Sequence, residues 1–158
     1  MAGICIGSSL QLHAANKSID EIVNSAENGD VHSQILLATM YKLGNGISRD
    51  YQKSVMWLRK AADKNDAIAQ RNLGDMYNEG RGVEQNTEEA ILWWKKSAEQ
   101  GNSGAQYTLG EIYSNGSKDI IDYSEAATWY EKAARQQHAR AQYNLAIMYL
   151  KVLVCKKT

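Results

Sequence analysis

Apolar side chains recur along this chain at steps of three and four residues, the spacing of one face of an α-helix. In the segment 66–80, Ala69, Leu73 and Met76 share such a face. The segment 86–101 shows the same periodicity around a pair of tryptophans. Every segment of this kind is helical, and no strand is predicted. The pattern therefore predicts an all-α fold with about eight helices.

The helical pattern repeats with a step of 36 residues. The step places the same residue type in one slot of each copy, as in Gln34, Gln70, Gln106 and Gln142, in Tyr41, Tyr77, Tyr113 and Tyr149, and in Trp57, Trp93 and Trp129. A fixed period of about 20–50 residues is typical of stacked repeats, in which each unit buries its apolar face against its neighbours. We expect an N-terminal segment over 1–17, either the remnant of a signal peptide or disordered, and then a solenoid over 18–158. Its full units are 30–65, 66–101 and 102–137, with half units at 18–29 and 138–158.

Each unit is predicted to be a helical hairpin. Paired glycines, which permit positive φ where the chain reverses, follow the first helix at Gly44 and Gly46 and at Gly80 and Gly82. The third loop keeps Gly116 but has Lys118 in the second slot, so we expect a different path there. N-caps mark the second helix at Asp50, Asn86 and Asp122. Glu89 and Glu125 stand three residues after Asn86 and Asp122, which predicts a capping box at each of these two caps. Glu21 predicts another with Ser18.

Charge and cysteine content narrow the function classes. The chain has 18 basic and 18 acidic residues, whereas a nucleic-acid surface needs a basic excess. Its two cysteines, Cys5 and Cys155, lie outside the three full units and form neither a disulfide framework nor a zinc site. Residues 1–15 are mildly apolar, too short for a membrane span, and only partly like a secretory signal. Export and a cytoplasmic location both stay open.

The sequence carries no motif of an active site. The three histidines are scattered, and no phosphate loop, nucleophile elbow or zinc-protease motif occurs. The acidic pair Glu88 and Glu89 opens a helix, where the helix dipole favours carboxylates. We therefore expect no enzyme activity, no cofactor and no metal.

The repeat pattern resembles the Sel-1-like repeat family, a relative of the tetratricopeptide repeat. The second unit matches best, through Ala69-Gln70, Leu73-Gly74, Tyr77, Gly80, Gly82-Val83, Ala90, Trp93 and Lys96. The resemblance covers residues 30 to about 149. It implies a right-handed α-superhelix that acts as an adaptor or scaffold for protein or peptide partners. Some bacterial members of the family are exported. Its cysteine-rich members carry a disulfide in each repeat, which this chain lacks.

Comparison of the copies separates packing from function. Slots that keep their residue are expected to form the core, and these include the tryptophans and the repeated glutamines. The slots that vary on the first helices lie on one helical face, and the resemblance implies that this face is concave. We call the predicted partner-binding residues on it the stripe: Arg71, Asn72, Asp75, Tyr107, Thr108, Glu111, Arg140, Tyr143 and Asn144. In the first unit Ile35 and Leu36 occupy these slots, where packing on the leading half unit is the alternative.

The repeat breaks off after Tyr149, where the chain becomes apolar and then basic. We expect this tail to prolong the last helix and cap the stack. The alternative is a fragment or truncated chain, in which an exposed edge of Leu145, Met148 and Val152 pairs with another copy. Two functions follow. The first is an interaction module that holds a partner on the stripe. The second is a structural or truncated repeat piece that acts through self-association.

Overall fold

The computed structural model describes residues 18–155, with side chains over 18–150. In this range the chain forms eight α-helices and no strand, which confirms the predicted fold. They are α1 (Ile19–Glu27), α2 (Val31–Leu43), α3 (Tyr51–Ala62), α4 (Ala67–Glu79), α5 (Thr87–Glu99), α6 (Ser103–Asn115), α7 (Tyr123–Arg135) and α8 (Ala139–Cys155). The expectations for residues 1–17 lie outside the described range.

Helices pack in chain order, so the core is a stack. We call α2, α4, α6 and α8 the first helices and α1, α3, α5 and α7 the second helices; each packs on its neighbours in the chain. The predicted core tryptophans Trp57, Trp93 and Trp129 are 6–7% exposed. A lysine three residues on lies 4.0 Å from each ring centroid. These cations lie over the ring faces, where the attraction between cation and ring adds to the burial of the indole.

A small residue on each internal first helix lets the following second helix approach closely. A Cβ on Gly74 would lie 2.6 Å from the indole of Trp94, and one on Gly110 would lie 2.5 Å from the ring of Tyr130. Trp94 and Tyr130 are at most 2% exposed. Because the rings fill the space above these glycines, a glycine is required there.

Helix ends follow the predicted caps, with one correction. The capping box at Ser18 is complete, and Asn86 and Asp122 accept backbone hydrogen bonds as N-caps. The carboxylates of Glu89 and Glu125, however, accept hydrogen bonds from the indole N–H groups of the tryptophans four residues on, at 2.9 and 3.0 Å. The prediction was wrong on these side chains because an indole N–H at the edge of the core needs an acceptor.

The third loop departs from the others, as Lys118 predicts. Gly44 and Gly80 end their helices with φ of 73° and 65°, whereas Gly116 is extended at φ −70° and ψ −166°. A turn follows in which Ser117 O accepts from the backbone N–H groups of Ile120 and Ile121.

The last helix runs on to Cys155, which confirms that the apolar tail prolongs it. The expected edge is wrong for Leu145 and Met148, because both side chains are half-buried against the core. The exposed residues of α8 include Gln142, Ala146 and Tyr149 instead. Val152 lies outside the range in which side chains are described. No helix of the described range combines the length and apolar character needed to span a membrane.

Candidate interaction surface

The nine residues of the stripe lie on three successive first helices, three each on α4, α6 and α8. Their exposure differs widely. Tyr143 is 67% exposed, and Arg140 and Glu111 are also exposed, whereas Tyr107 is only 9% exposed. The others, Arg71, Asn72, Asp75, Thr108 and Asn144, are half-buried. The stripe therefore offers accessible groups mainly toward α8.

A polar cluster forms around Asp75 on α4. Its carboxylate lies 4.0 Å from the guanidinium of Arg71 and accepts a hydrogen bond of 2.9 Å from the indole N–H of Trp94. Burial raises the pKa of Asp75, and the charge of Arg71 and the hydrogen bond from Trp94 oppose that rise. The guanidinium lies against Gly104 of the next first helix, where a Cβ would be 3.3 Å away.

A second cluster forms around Tyr107 on α6. Its hydroxyl donates a hydrogen bond of 2.6 Å to Glu111, and its ring stacks on His138 with centroids 4.6 Å apart. The guanidinium of Arg140 lies 5.9 Å from the centroid of the same ring. Burial, followed by the bond to Glu111, raises the pKa of Tyr107 to about 12. The ring is thus a support between helices, and the accessible groups above it are Arg140 and Glu111.

Asn144 and Thr108 are tied to the framework as well. Asn144 Nδ2 donates to the hydroxyl of Tyr130 at 3.1 Å, and Ser114 Oγ lies 3.1 Å from the same hydroxyl. Thr108 Oγ1 donates to Gly104 O, one turn earlier in α6. These bonds connect Asn144 and Thr108 to the helices beneath them.

One contributor to this surface, His138, was not predicted from the sequence. His138, which stacks on Tyr107, stands in the slot where Asp30, Asp66 and Asn102 cap the other first helices. That departure from an Asp or Asn slot was a visible signal. Exposed apolar residues extend the stripe at its other end, namely Leu36 at 38%, Leu43 at 66% and Ile68 at 54%. Ile35, by contrast, is half-buried and packs against the core, which favours packing over partner binding for this residue.

The repeated glutamines are structural, as their constancy predicts. Each side-chain amide donates to a backbone carbonyl eight residues earlier, at 3.0–3.4 Å. Gln70 and Gln106 also accept from the amides of Gln100 and Gln136 on the following second helix, at 2.7 and 2.8 Å. The glutamine slot therefore links each hairpin to the one before it.

The stripe presents groups that can form hydrogen bonds, ion pairs and ring contacts. It offers a guanidinium, a carboxylate, amides and an exposed phenol ring. Within residues 18–150, no group of three or more His, Cys, Asp or Glu side chains is placed to hold a metal ion.

Comparison with known proteins identifies the repeat. The family model of the Sel1 repeat matches residues 31–66, 67–102, 103–138 and 139–151. Among curated proteins none matches.

Solved structures agree with this match. The c5321 protein, a protective antigen of uropathogenic Escherichia coli strains that displays an SLR fold, is 36% identical over 84% of this chain, with a TM-score of 0.78. This chain spans only 28% of that protein. A Sel1 repeat protein of Oxalobacter formigenes is 35% identical over 81% of this chain and 96% of its own, with a TM-score of 0.72. Helicobacter pylori cysteine rich protein B shares the fold at 23% identity and a TM-score of 0.63, over 88% of this chain and 98% of its own.

Proposed function

This chain belongs to the Sel1 repeat family, whose members are generally protein–protein interaction modules and non-enzymatic scaffolds, and we propose that it binds a protein or peptide partner along the stripe. We further propose that it catalyses no reaction and binds no nucleic acid. The observation that carries the proposal is that the varying slots of α4, α6 and α8 form one face on which Asp75, Tyr107 and Asn144 are held by hydrogen bonds.

Rigid groups favour binding because fewer side-chain rotations are lost when a partner docks. Asp75 is fixed by Arg71 and Trp94, and Tyr107 is fixed by Glu111 and His138. Tyrosine and arginine are also the types that dominate interface energies. Tyr143 and Arg140 combine that chemistry with exposure, so we propose them as the main contacts.

The exposed residues also suggest the character of the partner. At the α2 and α4 end the surface is apolar through Leu36 and Ile68, and at the α8 end it presents Arg140 beside Tyr143. A segment that suits both ends carries apolar side chains in one part and an acidic or aromatic side chain in the other. Apolar area and charge-assisted hydrogen bonds would then act at separate ends of one surface.

Peptide selection on the purified chain tests this proposal. A phage-displayed peptide library provides ligands, and calorimetry gives their Kd for the wild type and for Arg140→Ala/Tyr143→Ala. We expect a loss of at least about tenfold, which corresponds to about 1.4 kcal/mol. The control Leu92→Ala/Tyr123→Ala changes two side chains on second helices, 55% and 63% exposed, and should change Kd less than about twofold.

Two outcomes count against the stripe. If every selected peptide binds the stripe variant as well as the wild type, the stripe is not the site. If no peptide is retained at all, the alternative of a structural repeat piece without a separate ligand site is favoured. Tyr107 is left unchanged in this design because its ring is buried and its removal would disturb packing.

A further inference from the structure

One face of α8 is exposed although its counterparts on the internal first helices are covered. Gln142 is exposed, whereas Gln34, Gln70 and Gln106 are 2–4% exposed. Ala146 is exposed, whereas Ala38, Gly74 and Gly110 in its slot are buried. In each internal case the covering element is the second helix that follows. This face of α8 therefore matches the faces of α2, α4 and α6, each of which packs against the second helix that follows it.

The internal contacts specify what that helix must carry. On α4, Gly74 receives the bulky ring of Trp94, Ala67 O accepts from Ser97 Oγ at 2.6 Å, and Gln70 Oε1 accepts from the amide of Gln100. A fitting helix therefore presents a bulky apolar residue, then serine three residues on, then an amide after three more.

The described chain contains a helix of this kind whose corresponding side is uncovered. Helix α1 carries Ile22, Ser25 and Asn28 at these three positions, 72 residues before Trp94, Ser97 and Gln100. Ser18 is exposed and Ser25 half-buried, yet the residues in their slots on α3, α5 and α7 are 0% exposed, namely Ser54, Ala61, Ala90, Ser97, Ala126 and Ala133. Ile22 is already 7% exposed against α2, so docking would complete its burial.

We propose that α1 of one copy packs on α8 of another and continues the helical stack between molecules. In this contact Ile22 lies over Ala146, the hydroxyl of Ser25 donates to Ala139 O, and the amide of Asn28 donates to Gln142 Oε1. The two surfaces differ, so the contact is head-to-tail and does not close. It involves only one short helix on another, well below a standard interface of about 1,600 Å², so association is weak and concentration-dependent.

Sedimentation of the full 158-residue chain from about 1 μM to about 1 mM tests the proposal. The wild type should grow in mass beyond a dimer as concentration rises. Ala146→Arg on α8 and Ser25→Arg on α1 should each be monomeric, because each places a long charged side chain in the contact. Leu92→Arg, at an exposed site on α5, should associate like the wild type. Circular dichroism melts verify that every variant is folded.

Mixing the two monomeric variants gives the decisive result. Ala146→Arg keeps an intact α1 and Ser25→Arg keeps an intact α8, so an equimolar mixture should form a one-to-one dimer that cannot extend. A wild type that stays monomeric to about 1 mM, or a mixture that stays monomeric, overturns the proposal. It also fails if Ser25→Arg alone self-associates, since that would indicate a symmetric contact through α8, or if Leu92→Arg abolishes association. The sedimentation and mixing results do not depend on whether the stripe binds a partner.

Discussion

At the scale of single residues, the copies of the repeat show what each side chain contributes. Gln70 and Gln106 accept a hydrogen bond from Gln100 and Gln136. In the first unit Lys64 takes the slot of Gln100 and donates to Gly29 O instead. As a result Gln34 Oε1 is buried without a hydrogen-bond partner. A buried acceptor left unpaired costs about 1–3 kcal/mol.

Repair of this defect is the first prediction. Lys64→Gln supplies the missing donor, so we expect the free energy of unfolding to rise by about 1 kcal/mol. Urea melts at neutral pH measure the change. The reverse substitution Gln100→Lys is the matched control and should lower stability by a similar amount. If Lys64→Gln is less stable than the wild type, the hydrogen bond from Lys64 to Gly29 O contributes more than the amide bond to Gln34 that replaces it.

The hydroxyl of Tyr107 gives a prediction on pH. Its folded pKa is raised to about 12, while the unfolded value lies near 10. Between these values the unfolded state loses the proton first. The stabilisation through this group is therefore complete below about pH 10 and is lost as pH rises toward about 12.

Two variants isolate this group. The stability difference between the wild type and Tyr107→Phe should stay constant up to about pH 10 and narrow between about pH 10 and 12, because phenylalanine has no proton to lose. Glu111→Gln removes the carboxylate that accepts the hydroxyl proton, so tyrosinate absorbance of that variant should include one tyrosine that ionises at lower pH than in the wild type. A constant difference between the wild type and Tyr107→Phe would contradict the burial of the hydroxyl.

At the scale of elements, the distance between a first helix and the next second helix is set by one pair of slots. In two units a glycine faces a large ring, Gly74 with Trp94 and Gly110 with Tyr130. In the first unit the same slots hold Ala38 and Leu58. A larger residue on one helix thus accompanies a smaller one on the other. Packed interiors have no room for an added methyl group unless its neighbour shrinks.

A double-mutant cycle tests this pairing. Gly74→Ala should cost about 1–3 kcal/mol because its Cβ would meet the Trp94 indole. In a Trp94→Leu background the same change should cost at least about 1 kcal/mol less, since the pair then matches Ala38 with Leu58. Urea melts of the four proteins give the coupling energy. Additive costs would mean that α4 and α5 separate freely and do not share this contact.

At the scale of the whole molecule, the stack is quasi-one-dimensional, because each helix packs mainly on its chain neighbours. Internal helices are covered on two sides, whereas α1 and α8 are covered on one in the described range. Stability should therefore fall toward the ends.

Hydrogen exchange monitors this gradient. We expect amides of α4 and α5 to be the most protected and those of α1 and of α8 beyond Ala146 to exchange faster, by at least about tenfold, because local opening there exposes less buried surface. At concentrations where the proposed end-to-end contact forms, protection of α1 and α8 should rise selectively. Equal protection of all eight helices at low concentration would indicate a single cooperative unit.

The repeat alone determined most of the fold. The 36-residue step, the glycine loops and the N-caps predicted eight helices in hairpins, the buried tryptophans and the changed third loop. These features follow from local backbone preferences and from contacts between adjacent units, both of which a repeating sequence displays directly. The course of the chain beyond Tyr149 was open, because the repeat ends there.

Only the tertiary structure decided which varying residues are accessible. Tyr107 and Tyr143 occupy the same slot, yet the first is 9% and the second 67% exposed. Tyr107 is covered because His138 and Arg140 lie against its ring, while among the side chains of residues 18–150 no such ring contact covers Tyr143. The position of a residue on a helix face follows from its own spacing, and the sequence shows it. Its burial depends on which side chains the neighbouring helix places above it, and that requires the packed stack.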